Sequence, residues 1–200
     1  MSTAFTVAYL RFVRPRVLNW QATEEEAQRQ MPGDDILPDA NLQTTRAVTI
    51  EARPEHIWPW LVQMGPRPRA GAYTYDWIER LLGIDIENKD RILPEFQHLE
   101  AGEFMGLGSK GNGVLVREVQ PERFVVLQWK PADSTWTFGL YPEDGTTRFL
   151  SRNRLRGKGF LFWLGMVGFM ELGSLIMERK MLLGIKQRAE MLAIQRQAHE

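Results

Sequence analysis

Residues 103–155, EFMGLGSKGNGVLVREVQPERFVVLQWKPADSTWTFGLYPEDGTTRFLSRNRL, decide the fold. Five β-like runs follow one another: Glu103–Leu107, Gly113–Val119, Phe124–Trp129, Ser134–Tyr141 and Thr146–Leu155. Pro121-Glu122 and Glu143-Asp144-Gly145 separate successive runs at hairpin spacing. Connections this short force neighbouring strands to run antiparallel, because a parallel pair needs a long crossover. The segment therefore predicts an antiparallel meander.

Upstream, TTRAVTIE (44–51) is β-favouring and alternates, which makes it a first strand. Arg53-Pro54-Glu55 then opens a helix, with Ile57, Trp58, Leu61 and Val62 on its apolar face. After a basic, Gly/Pro-rich loop, YTYDWIERLL (73–82) predicts a second short helix, capped by Gly83. Downstream, 157–170 is strongly apolar, and a long helix runs from Glu171 to about Gln197. Its apolar residues, including Leu172, Leu175, Ile176, Met177, Met181, Leu182 and Ile185, wrap most of its girth, so it is expected to be covered on several sides. The unbroken apolar run Phe160–Met170 is well short of the roughly 20 residues a bilayer span needs.

Residues 1–40 read as an extension before a main domain at 41–200. The first twenty residues carry Arg11, Arg14 and Arg16 with no acid, and Pro15 interrupts their apolar face. These charges come too late for a secretory signal. The segment reads as an arm lying on the domain or as a surface-anchoring helix. Thr23 and Glu26 have capping-box spacing, and Met31-Pro32-Gly33 ends the short helix they start.

Composition narrows the chemistry. The 25 Lys+Arg balance 25 Asp+Glu, so a dedicated nucleic-acid partner is not expected. The absence of cysteine rules out thiol catalysis and Cys-ligated metals. His56, His98 and His199 are too scattered to suggest a metal site, and no cofactor is expected. No G-x-S-x-G occurs, and GLGSKGNG (106–113) precedes no helix, so it is not a phosphate cradle but a hairpin tip.

The order strand, two short helices, antiparallel meander, long helix predicts an α+β fold. A curved sheet of about six strands curls around the terminal helix and leaves a space between them. This order, with TRAVTIEARPEHIWPWLVQMG (45–65), AYTYDWIERLLGIDIENKDRILPEFQHLEAGE (72–103) and MERKMLLGIKQRAE (177–190), resembles the helix-grip fold of the START-like (SRPBCC) superfamily. That superfamily includes polyketide cyclases, Bet v 1-type proteins and lipid-transfer domains, and the last two phrases resemble a bacterial subgroup of it. The similarity covers about residues 44–195. It implies a cytoplasmic protein binding a small hydrophobic or amphiphilic molecule. The alternatives are a cyclase-, dehydratase- or hydrolase-type enzyme, or a membrane-peripheral adaptor making contact through 1–18 or 160–170.

The residues expected to meet the ligand are Tyr73, Tyr75, Trp77, Trp129, Trp136, Phe138, Arg152, Met170, Glu171 and Ile176. Trp136 and Phe138 share a strand face with Leu140, and Trp129 stands similarly on the neighbouring strand. Glu171 and Glu178, seven apart, share a helix face; they divide acid and base work or pair with Arg179 and Lys180. A Tyr75 hydroxyl near Asp76 suits binding or protonating a carbonyl. Arg148, Leu150, Arg152 and Arg154 share one strand face, while Phe149, Ser151, Asn153 and Leu155 take the other. Arg152 pointing inward requires a carboxylate, from Glu171 or an acidic ligand; pointing outward, it is solvated.

Overall fold

The computed structural model describes residues 7–81, 83–106, 112–130, 133–166 and 170–198. Strands β1 (Leu42–Ile50), β2 (Phe104–Gly106), β3 (Gly113–Gln120), β4 (Phe124–Lys130), β5 (Ser134–Glu143) and β6 (Thr146–Leu155) form one antiparallel sheet, in the order β1-β6-β5-β4-β3-β2. The β5–β6 hairpin turns on Asp144 and Gly145, both with positive φ, which matches the twist of the flanking strands. A register shift between Val116 and Glu118 bulges β3 and adds to the sheet's curvature. Leu107 and the rest of the tip at 107–111 lie outside the described residues.

Among the described residues, six α-helices accompany the sheet: α1 (Arg14–Leu18), α2 (Glu24–Gln28), α3 (Pro54–Val62), α4 (Asp76–Leu81), α5 (Phe160–Gly165) and α6 (Glu171–Gln197). The curved six-stranded sheet, the two short helices after β1 and the long terminal helix are the predicted helix-grip arrangement. Helix α4 starts at Asp76 rather than at Tyr73, because Tyr73 adopts a left-handed backbone (φ 56) that a helix cannot include. Among the described residues, no helix is long and apolar enough to cross a membrane.

The core lies where α6 and α3 cross the inner face of the sheet. Val48, Ile50, Phe138, Leu140 and Phe149 from the strands pack with Ile57 and Leu61 of α3 and with Met181, Leu182 and Ile185 of α6. Burying each such side chain contributes about 1.5–3 kcal/mol before conformational entropy is counted. The expectation that α6 is covered on several sides fails at its start, where Leu172 and Ile176 are exposed. Glu171 of that same turn is buried, so the first turn of the helix is covered on one side only.

Residues 14–40 embrace β1 from both sides. Helix α1 lies beside α6 and β1 on the inner side. The chain then crosses the free edge of β1, where Asn19 Oδ1 and the Trp20 carbonyl accept from the amides of Thr45 and Ala47. An edge strand's unpaired amides are thereby satisfied. Helix α2 follows on the outer face, where its capping box forms as the sequence predicts, with Thr23 Oγ1 accepting from Glu26 N and Glu26 Oε2 accepting from Thr23 N. Met31 packs there against Ala47 and Leu150.

Candidate functional site: a cavity under the terminal helix

The alternation of each strand sends one set of side chains toward α6. From β1 these are Leu42, Thr44, Arg46, Val48 and Ile50; from β6, the register gives Leu155, Asn153, Ser151, Phe149 and Thr147. Toward Ile50 this face is packed solid. Toward Leu42 it draws away from the helix and leaves a cavity of about 450 Å³. The wall comprises Leu42, Val114, Leu127, Trp129, Trp136 and Leu155 of the sheet, Ile84 and Ile86 of the loop after α4, and six methionines: Met64, Met105, Met166, Met170, Met177 and Met181. Trp129 and Trp136 stack with ring centroids 6.3 Å apart. Met170 and Ser174 line the space and are also exposed, which places its mouth at the start of α6.

Polar groups in this wall are few and mostly committed. Glu178, on α6, pairs with fully buried Arg46, and its Oε1 accepts from Ser151 Oγ (2.5 Å), its Oε2 from Asn153 Nδ2 (3.2 Å). Ser151 Oγ in turn accepts from Trp136 Nε1 (2.8 Å). Burial pushes the Glu178 carboxyl up, opposed by Arg46. Glu171 is held by Arg14 of α1, whose Nε and Nη2 approach its oxygens at 2.7–3.1 Å. Glu79 accepts from Thr74 Oγ1 (2.9 Å), and burial raises its pKa too. Thr44 differs: its hydroxyl is buried in the wall with no hydrogen-bond partner among the described residues.

Four of the residues expected at the ligand, Trp129, Trp136, Met170 and Glu171, line this cavity together with Glu178. The structure places the other six elsewhere. Ile176 is exposed, because the inward stripe of α6 runs through 171, 174, 178 and 181, on the opposite side of the helix. Trp77 is also exposed; α4 turns Glu79 to the cavity, and Trp77 two residues earlier points away. Tyr75 lies partly exposed under Lys180, while its neighbour Thr74 lines the wall. Asp76 meets Arg80 and the Asn88 amide rather than a Tyr75 hydroxyl. Tyr73 is a core residue whose hydroxyl accepts from Gln63 Nε2 and donates to the Trp60 carbonyl. Phe138 packs deeper, between Trp136 and Phe149.

Arg152 too lies away from the cavity. It points outward, yet it is buried, because α2 and its following loop cover it. Its guanidinium bonds Asp34 Oδ2 (2.8 Å), Thr45 Oγ1 (3.0 Å) and the carbonyls of Glu26, Ala27 and Arg29. It thus caps the carbonyl end of α2 and has no part in the cavity. Arg148 beside it grips Glu26, and that hydrogen bond holds the Glu26 carboxyl below the usual carboxylate range.

Sequence reasoning missed Thr44, Glu79 and five of the six wall methionines. Thr44 carries a signal in its parity, since it stands two residues from Leu42 and Arg46 on the same strand face. Nine methionines in 200 residues is the signal for the rest.

Sheet, gripped helix and intervening cavity together define a helix-grip fold. No family model matches the sequence, and no curated protein matches it. Solved structures do share its fold. The solution structure of the KanY protein is 12% identical over 74% of this chain and 97% of its own, with a TM-score of 0.50. Protein MLL2253 from Mesorhizobium loti is 17% identical over 75% of this chain and 98% of its own (TM-score 0.44). The Aha1 dimer from Colwellia psychrerythraea is 15% identical over 75% and 97% (TM-score 0.44).

Proposed function

We propose that this protein binds a small hydrophobic or amphiphilic molecule in the cavity between the sheet and α6. The observation that carries the reading is the largely apolar space of about 450 Å³, open at the start of α6 and within the range of small-molecule sites. An apolar guest there removes its own surface and the wall's from water. Catalysis on this scaffold needs an acid or base with unspent hydrogen-bonding capacity. Glu171 and Glu178 are each engaged by a guanidinium, which supports binding over proton transfer. The test is displacement of a fluorescent naphthylamine probe, together with mass spectrometry of material released on delipidation. Wild type takes up the probe and Met177→Trp, which fills the cavity, does not. Equal signals from both proteins overturn the reading.

A second reading concerns the mouth. Met170 is exposed at it, Phe160 and Leu164 of α5 and Leu172 and Ile176 of α6 are exposed as well, and so are Leu10, Phe12 and Val13 of the arm that Arg14 ties to Glu171. Among the described residues, Arg11 and Arg16 on the same arm pair with no carboxylate, and no acid occurs before Glu24. Apolar side chains beside unpaired cations suit the surface of an anionic bilayer. Co-sedimentation with phosphatidylserine vesicles tests this contact: binding falls strongly in an Arg11→Glu/Phe12→Ser variant, and no wild-type binding ends it.

A further inference from the structure

The charges in the cavity wall select among guests. Every ionisable side chain that presents its charge there is a carboxyl: Glu79, Glu171 and Glu178. The cations nearest to them are already spent. Arg14 is forked onto Glu171, and Arg46 is shared between Glu178 and the Val17 carbonyl. Arg154 borders the cavity by its position on β6, but its guanidinium turns to the outer face, onto Gln43 Oε1 (2.7 Å) and the Leu37 carbonyl (3.1 Å). An anionic head group entering this wall meets carboxyl groups and, among the described residues, no uncommitted cation. Desolvating it there without a counter-charge is strongly unfavourable.

Among the described residues, two side chains of the lining carry an unmet hydrogen bond, Arg154 at Nε and Thr44 at its hydroxyl, and of the two Thr44 stands on the strand face that looks toward α6. Thr44 is 6% exposed, and its Oγ1 has no partner. A buried hydroxyl left unpaired is uncommon in a folded protein and is relieved by a ligand group that donates or accepts. Thr44 stands on β1 opposite Asn153, next to the Trp136 wall and facing α6.

Building on the carrier reading above, we propose that the guest is an uncharged amphiphile. Its apolar body lies against the methionines and the Trp129–Trp136 pair, and its one polar group, a hydroxyl or carbonyl, bonds Thr44. Chains headed by carboxylate or phosphate are rejected by the same wall.

Three probes of equal chain length test this on the full chain near neutral pH: decanol, decanoate and decane, each displacing the naphthylamine. Decanol binds roughly tenfold or more tighter than decanoate. Thr44→Val, which keeps the shape and removes the hydroxyl, weakens decanol several-fold and leaves decane unchanged. The decane arm also shows that the variant's cavity is intact. Decanoate binding as tightly as decanol, or decanol indifferent to Thr44→Val, overturns the proposal while leaving the carrier reading in place. Displacement by none of the three overturns both.

Discussion

Arg46 and Glu178 meet in the interior, the guanidinium reaching from the inner face of β1 and the carboxylate from the middle of α6. Both are buried, and the pair fixes the helix to the first strand beside the cavity. Removing one partner leaves a buried charge without compensation. Arg46→Met is therefore expected to destabilise the protein by about 3–5 kcal/mol, and Arg46→Met/Glu178→Leu to recover most of that loss. Urea unfolding of the two variants checks this. A double variant as unstable as the single would show that Ser151 and Asn153, rather than Arg46, account for the cost.

On the opposite face of the sheet, Arg152 fastens α2 by its terminal carbonyls and by Asp34. Arg152→Met is expected to cost about 2–4 kcal/mol. It should also expose residues 29–41 to proteases well before the rest of the chain unfolds. Limited proteolysis with mapped fragments reads this out. Cleavage patterns unchanged from wild type would mean that Met31 and Leu37 hold the arm without it.

Acid sensitivity has a definite sign at Glu26. The Arg148 hydrogen bond lowers its folded-state pKa below that of the unfolded chain. Its contribution is therefore fully present above the ordinary glutamate pKa of about 4.3, and it is lost as pH falls through the lower folded value. Glu178 runs the other way. Burial raises its folded pKa, so its contribution is present below the unfolded value and is lost as pH rises through the folded one. Stability measured against pH should fall less steeply on the acid side in Glu26→Gln than in wild type. Parallel curves would refute the assignment.

Gly33 permits the arm to lie flat on the sheet. Its φ is +80°, and a Cβ there would stand 2.4 Å from Val126 Cγ1. Gly33→Ala is expected to lose about 2–3 kcal/mol, from the left-handed backbone and the clash together. Adding Val126→Ala should relieve the clash but not the backbone penalty, so thermal denaturation should show partial rescue. Full rescue would mean that strain at φ contributes nothing.

The meander was legible because alternation and hairpin residues agree from Gly113 to Leu155. Parity also sorted β6 correctly into two faces, Arg148/Leu150/Arg152/Arg154 against Phe149/Ser151/Asn153/Leu155. It did not disclose that both faces are buried. An outward arginine is expected to meet solvent, whereas the arm supplies Asp34, 118 residues upstream of Arg152, and the Arg29 carbonyl, 123 residues upstream. That pairing has no local signature. On α6 the apolar residues are too evenly distributed to mark an inward stripe, so Ile176 and Met177 read alike, and only contact with the sheet separates them. Tyr73 misled for a related reason: a tyrosine whose hydroxyl is satisfied in the core looks, in sequence, like one waiting for a ligand.

The six thioether side chains around the hollow have a mechanical consequence. Methionine is unbranched at Cβ and turns about three soft bonds, so such a lining adjusts its contour by rotamer hops while strands and helix stay fixed. Under the binding function proposed above, shape discrimination among guests is accordingly expected to be weak. Sulfoxide formation at the same six positions would convert the yielding surface into a polar one without touching the scaffold.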